Sequence, residues 1–163
     1  DNVNFFAADL RRANLEGASL RHGDMRGASM RGANLTGADL FEADLREAVI
    51  AERDRRAGIK VLRHEESPTE MPGALLAHAN LERAKMTGIV ALQADFSDAV
   101  MRGCRLVRAN LKHVNMSGAI LENADLSGAD LTGANLRGAV LTGASLAHTR
   151  CDGADMTGTL TVQ

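Results

Sequence analysis

A five-residue repeat constrains this chain more than any other property of it. From the amino end, Ala8-Asp9-Leu10, Ala13-Asn14-Leu15, Ala18-Ser19-Leu20, Ala28-Ser29-Met30, Ala33-Asn34-Leu35, Ala38-Asp39-Leu40 and Ala43-Asp44-Leu45 restate one triplet of a small residue, a short polar residue and a large aliphatic. Large apolar residues hold positions 5 to 50 in steps of five. They resume at Leu76 and Leu81 and recur through Met86, Phe96, Met101, Leu106 and Leu111 to Leu146 and Met156. That makes ten repeats before a break and seventeen after it. A period of five fits neither the 3.6-residue helix nor the two-residue strand, so the chain has to turn once in every repeat. The aliphatic and the small residue two before it are expected to point inward, and the other three positions outward. Gly at the second place after the aliphatic, as at Gly17, Gly32, Gly118, Gly133 and Gly143, is expected at corners that need unusual backbone dihedrals.

Composition agrees with a narrow, regular interior. The 163 residues are 45% apolar but only 2% aromatic, with no Trp or Tyr, so Leu, Ala, Met and Val have to build the core. An ordinary sandwich or α/β enzyme is a poor fit to that palette. Nineteen basic residues against 21 acidic ones give a net charge of −2, which offers no electrostatic case for nucleic acid or a membrane as partner. No apolar run approaches the roughly 18 residues of a spanning helix. Two cysteines do not make a disulfide framework, and a reducing compartment is the expectation.

These triplets resemble the pentapeptide-repeat family, whose consensus is a small residue, Asp or Asn, Leu and two variable positions. The resemblance covers everything except residues 51 to 75. It implies an all-β fold, a right-handed quadrilateral parallel β-helix of four repeats per coil and about seven coils, with residues twenty apart stacked. At a strand spacing of about 4.8 Å the rod would be roughly 30 Å long. One continuous solenoid domain is expected, with a first block over 1–50, an inserted loop over 51–75 and a second block over 76–163. The resemblance also implies a bacterial, cytoplasmic protein.

The break is an insertion rather than a decayed coil, because the inward register moves from multiples of five to one past them. Residues 51–73 carry ten charges and both prolines of the chain. A short helix over 51–57, a short strand over 59–62 and a turn-rich return over 67–73 are the local expectations. Arg53, Arg55, Arg56, Lys60, Arg63, Glu65 and Glu66 are its candidate contacts, if the loop binds a partner. A tolerated surface excursion is the alternative, since loop closure costs little more as a loop lengthens.

With a twenty-residue stacking period, one face of the second block reads Asn80, Val100, Ile120, Val140, Leu160 at the outward position where the repeat favours Asp or Asn. Val100, Ile120, Val140 and Leu160 form a candidate interaction stripe. An inserted segment folded over it would be the alternative cover. Leu75, Val90 and Leu92 add outward apolar residues near the break, and Glu82, Arg102 and Glu122 form a column of alternating charge beside the stripe. In the first block, Arg11, Arg26 and Arg46 stand beside Asp9, Asp24 and Asp44, as local charge pairs rather than a phosphate track. Phe6 and Phe41 are expected to be exposed.

No constellation points to catalysis. His78, His113 and His148 recur every 35 residues and cannot stack in a four-sided coil, while His22 and His64 lie elsewhere. Cys104 and Cys151 are both inward and too far apart to bridge. No phosphate loop, nucleophile elbow or dinucleotide fingerprint appears. Asp belongs to the repeat itself, so paired carboxylates carry no catalytic information, and a filled solenoid has no pocket. No catalytic, cofactor or metal residue is assigned, and no enzyme is expected. The leading reading is a non-enzymatic scaffold that binds a protein through the loop, the stripe or a coil end. The family supplies an alternative, a DNA-mimicking modulator of the type II topoisomerases gyrase and topoisomerase IV, of the quinolone-resistance kind. Segment charges of −2, 0 and 0 over 1–50, 51–75 and 76–163 are far from those of duplex DNA. A third reading is a spacer domain of a longer protein. Resemblance to gyrase-binding relatives also implies a homodimer through the C-terminal coil, with Met156, Leu160 and Val162 at its end.

Overall fold

A computed structural model describes residues 1–46 and 73–161. Its unit is one turn of four residues and one outward bridge residue. The backbone carbonyl of each inward aliphatic accepts from the N–H three residues on, as in Ala8 to Phe5 at 2.9 Å and Ala134 to Leu131 at 2.9 Å. The third residue of that turn has positive φ, the hallmark of a type II turn. Glycine fills many of these corners, Gly133 with φ +68° among them, but His22, Arg83, His113 and Asn123 hold the same conformation with φ between 55° and 57°. The corner is a property of the repeat, and glycine only makes it easier.

Between corners, the short polar residue bridges in parallel to the residue twenty positions later. Asp9 pairs with Ser29, Ser19 with Asp39, Val100 with Ile120 and Asn115 with Asn135. The N–H of each aliphatic donates up to the next coil, as Leu106 does to Asp125 at 2.7 Å. The N–H of each bridge residue donates down, as Asp125 does to Cys104 at 2.9 Å. Four such columns make a four-sided parallel β-helix. We label the faces by their bridge residues. Face A holds Asp24, Asp44, Lys85, Arg105 and Asp125. Face B holds Val90, Asn110, Asp130 and Arg150. Face C holds Asn34, Leu75, Asp95, Asn115 and Asn135. Face D holds Asp39, Asn80, Val100, Ile120, Val140 and Leu160.

The break leaves the ladder intact on three faces. Asn34 pairs with Leu75, Asp39 with Asn80 and Asp44 with Lys85. Each pair is 41 residues apart, and subtracting one coil of 20 leaves 21 extra residues, the one-residue shift of register seen in the sequence. Leu75, assigned from sequence to the insertion, is a bridge residue of face C, because a parallel strand pairs through its backbone whatever the side chain. The expected helix, strand and turn of the inserted loop lie outside the described residues.

Inside, the aliphatic and the small residue are both buried. Leu35, Leu40, Leu81, Leu106, Leu121 and Leu126 are wholly inaccessible, as are Ala38, Ala79, Ala119 and Ala139, and no polar residue among those described is buried. Two side chains per repeat fill the axis, which is why so few aromatics suffice.

Candidate interaction face

The outward bridge position has a specific reason to be Asp or Asn. Its side-chain Oδ1 accepts the backbone N–H two residues on, closing the turn from outside: Asn34 to Thr36 at 3.0 Å, Asp95 to Ser97 at 3.0 Å, Asn135 to Arg137 at 3.1 Å. On face C the amides also link coils, Asn115 Nδ2 donating to Asp95 Oδ1 and Asn135 Nδ2 to Asn115 Oδ1, both at 3.0 Å. Face D starts the same way. Asp39 caps Phe41 at 3.1 Å, Asn80 caps Glu82 at 3.1 Å, and Asn80 Nδ2 donates to Asp39 Oδ1 at 3.0 Å.

Above Asn80 the caps cease. Val100, Ile120, Val140 and Leu160 stand in consecutive bridges of one column and have no side-chain acceptor to offer. Val100, Ile120 and Val140 are half-buried, and Leu160 is 58% exposed. The column brings all four residues of the stripe onto face D.

Charges edge this stripe. Arg102 Nε reaches up to Glu122 at 2.7 Å, while the contact of Glu82 is sideways with Arg83 at 4.0 Å, so the alternating column closes only at its upper step. Residues 102–121 carry Arg102, Arg105, Arg108 and Lys112 and no acid, and the next coil carries Glu122, Asp125 and Asp130. Lys112 meets Asp130 at 3.4 Å, and the Asp125 carboxyl is held below its ordinary range by Ser127 hydrogen bonds and, more weakly, by Arg105.

The other expected residues fall as follows. Arg11, Arg26 and Arg46 make two-pronged pairs with Asp9, Asp24 and Asp44 at 2.6 to 2.9 Å. Their guanidinium hydrogen bonds hold Asp9 and Asp24 down to about 2. Phe6 is 60% exposed with Arg26 over its ring, but Phe41 is only half-exposed, covered by the Arg21 guanidinium at 4.5 Å and the edge of His22 at 5.7 Å. Sequence reasoning missed that cover. The Arg21 and Phe41 columns coincide once the twenty-residue stack is applied, and the signal was available there. Cys104 is fully buried, and desolvation pushes its thiol up to about 12. Cys151 is half-buried. Among the described residues no three His, Cys, Asp or Glu converge on one point, and no helix is long and apolar enough to cross a membrane. Met156 is half-buried at an inward position. Val162 and the loop candidates Arg53, Arg55, Arg56, Lys60, Arg63, Glu65 and Glu66 lie outside the described residues.

The sequence matches the family profile 'Pentapeptide repeats (8 copies)', itself a run of eight repeats, over residues 2–48, 92–128 and 124–160. The chain is a pentapeptide-repeat protein. Among solved pentapeptide-repeat structures, it is similar to HetL, a protein involved in heterocyst differentiation regulation from the cyanobacterium Nostoc sp. PCC 7120. The two share 22% identity over 98% of this chain and 87% of that one, with a TM-score of 0.30. It is also similar to Rfr23 from the cyanobacterium Cyanothece 51142, at 22% identity over 98% and 91% of the two chains and a TM-score of 0.29. QnrB1, a plasmid-mediated fluoroquinolone resistance protein, aligns at 15% identity over 100% of this chain and 86% of its own, with a TM-score of 0.36. No curated protein matches the sequence.

Proposed function

We propose that this pentapeptide-repeat protein is a non-enzymatic scaffold whose contact surface is the upper part of face D. The observation that carries this reading is the run of four consecutive bridge positions, Val100 to Leu160, that give up the turn-capping side chain used lower on the same face at Asp39 and Asn80. An aliphatic there gains cross-strand contact worth about 0.2–1 kcal/mol a pair. It forgoes a hydrogen bond whose net worth is about 0.5–1.5 kcal/mol. Stability alone gives no reason to make that exchange four times in one column, whereas a contact surface does.

A photoreactive residue placed at Ile120, against one at Ser127 on the corner between faces A and B, tests the reading in extract of the source organism. Adducts to a discrete set of proteins from position 120 alone are expected. Equal labelling from both positions would remove face D from consideration.

The topoisomerase reading rests on family membership. Its assay is inhibition of gyrase supercoiling by this chain, beside a variant with residues 52–72 replaced by a short Gly-Ser linker. Inhibition lost with the loop would replace the scaffold reading. A C-terminal-coil dimer through Met156, Leu160 and Val162 and a bacterial cytoplasmic setting belong to the same family-based expectation.

A further inference from the structure

The geometry points to a second copy of this chain as the occupant of face D, packed face to face about a two-fold axis that lies along the strands, midway between the levels of Val100 and Ile120. This deepens the reading above and rests on it, since it names what the stripe contacts. Charge register and the apolar match together decide the alignment. A two-fold along the strands keeps the flanking column on the same side in both copies and reverses its order. With the axis midway between Val100 and Ile120, Arg102 of each copy meets Glu122 of the other, Glu82 meets the uncharged Thr142, Val100 meets Ile120, and Asn80 meets Val140.

Registers with the axis on a level are refused. An axis through the level of Arg102 sets that guanidinium against itself and Glu82 against Glu122. An axis through the level of Glu122 sets that carboxylate against itself. Like charges brought together across an interface suppress such alignments. Arg102 and Glu122, the members of the favoured pair, remain 43% and 38% exposed while bonded to each other at 2.7 Å, so both have surface left for a partner. Packed sheets lie about 10 Å apart, a gap that long Arg and Glu side chains span and that Asp98, on the opposite edge, does not. An axis midway between Asn80 and Val100 would pair Arg102 with Glu82 but set Asp39 against Ile120 and Asn80 against Val100, and one midway between Ile120 and Val140 would leave Glu122 opposite Thr142 with no charge pair. Only the axis between Val100 and Ile120 combines paired charges in the column with an apolar match at the centre of the stripe.

The contact is small. Face D between Asp39 and Leu160 is about 25 Å long at ~4.8 Å per level. It buries less than the ~800 Å² per partner of a standard interface, which places it with weak, concentration-dependent associations rather than permanent ones.

Sedimentation equilibrium of the full chain over a concentration series tests this directly. The wild-type chain should pass from monomer to dimer. Arg102→Glu and Glu122→Arg, each alone, should weaken dimerisation at least about tenfold, because each places like charges across the two-fold. An equimolar mixture of the two variants should regain dimer. In the mixed pair, the carboxylate introduced at position 102 of one copy faces the guanidinium introduced at position 122 of the other, and the unaltered Glu122 of the first faces the unaltered Arg102 of the second. That rescue cannot come from the bond within one chain, which is broken in both variants. Far-UV circular dichroism confirms that each variant is folded, and Ile120→Asp offers an independent route to the same loss. The proposal is overturned if wild type stays monomeric to its solubility limit, if the single variants dimerise as wild type does, or if the mixture fails to recover. A dimer built on the coil end would give the second of these results. The scaffold reading stands or falls separately, on whether labelling from position 120 is selective.

Discussion

At the residue scale, the bridge position is where structure and contact compete, and a single substitution can separate them. Val140→Asn introduces an amide that can cap the Thr142 N–H as Asn135 caps that of Arg137, although Ile120 and Leu160 in the same column offer it no ladder partner. If the stripe serves contact rather than stability, this variant should keep a thermal stability within about 0.5 kcal/mol of the parent, the cap offsetting the lost apolar pair. A loss near ~2 kcal/mol in a thermal melt would mean that Val140 is structural. The corners offer a second test. A Cβ on Gly133 would overlap the His113 ring one coil below, while a Cβ on Gly138 meets nothing within 4 Å. Both alanines would carry the strain of positive φ, about 1 kcal/mol. Gly133→Ala should cost roughly 1 kcal/mol more than Gly138→Ala through the clash, and His113→Ala in the same chain should remove that excess. Equal melts for the two would show that the ring simply moves aside.

Much at this scale is legible in the sequence. The inward and outward assignments follow from the period alone, because Leu and Ala alternate with three polar places and only one coil geometry buries both. The corner glycines are legible for the same reason. That His22, Arg83 or Asn123 hold positive φ as well is not, since their side chains carry no sign of it and only the phase of the repeat places them there. The Arg21 cover on Phe41 lies in the same twenty-residue stack that aligns Arg102 with Glu122, but it joins a cation to a ring and so carries no alternation of charge to mark it. Asp9 with Arg11 or Asp44 with Arg46, by contrast, are marked by opposite charges two apart on one strand.

At the scale of one repeat, the Asp-aliphatic-Arg segments act as local clasps. Asp9, Asp24 and Asp44 are held low first by hydrogen bonds from Arg11, Arg26 and Arg46, Asp9 and Asp24 to about 2 against an ordinary value of 3.8. A carboxylate whose folded value is depressed contributes stability that is complete above its unfolded value and vanishes as pH falls through the folded one. The midpoint of thermal unfolding should therefore decline between about pH 4 and about pH 2, with a smaller decline in an Arg11→Gln, Arg26→Gln double variant. A flat profile across that window in the parent would show that these exposed pairs are screened to no effect. The register shift at the break is legible at this scale because the count of residues modulo five changes by one. The position of Leu75 is not, since an apolar bridge residue beside a charged insertion has the composition of neither block.

At the scale of the whole molecule, a net charge of −2 conceals an internal arrangement in which a coil with four cations and no acid lies under one rich in acids. Composition by segment averages this away and leaves the second block neutral. The pairs Arg102 with Glu122 and Lys112 with Asp130 cross that boundary. As largely exposed pairs they are each worth about 0–1 kcal/mol, and exchanging one coil without its neighbour would leave like or unpaired charges at that boundary.

The ladder of twenty gives the chain a reading frame of its own. Removing residues 142–161 or inserting one whole coil would leave every remaining side chain on its face, whereas deleting a single pentapeptide, such as 122–126, would carry everything after it around the axis by a quarter turn. The repeat would be unbroken and the core still filled, yet Val140 would no longer stand above Val100. Such a deletion should melt almost like the parent by circular dichroism while losing whatever face D binds. Lengths of twenty are thus silent in this fold and lengths of five are not, and the 21 residues added at the break amount to one frame and a single step.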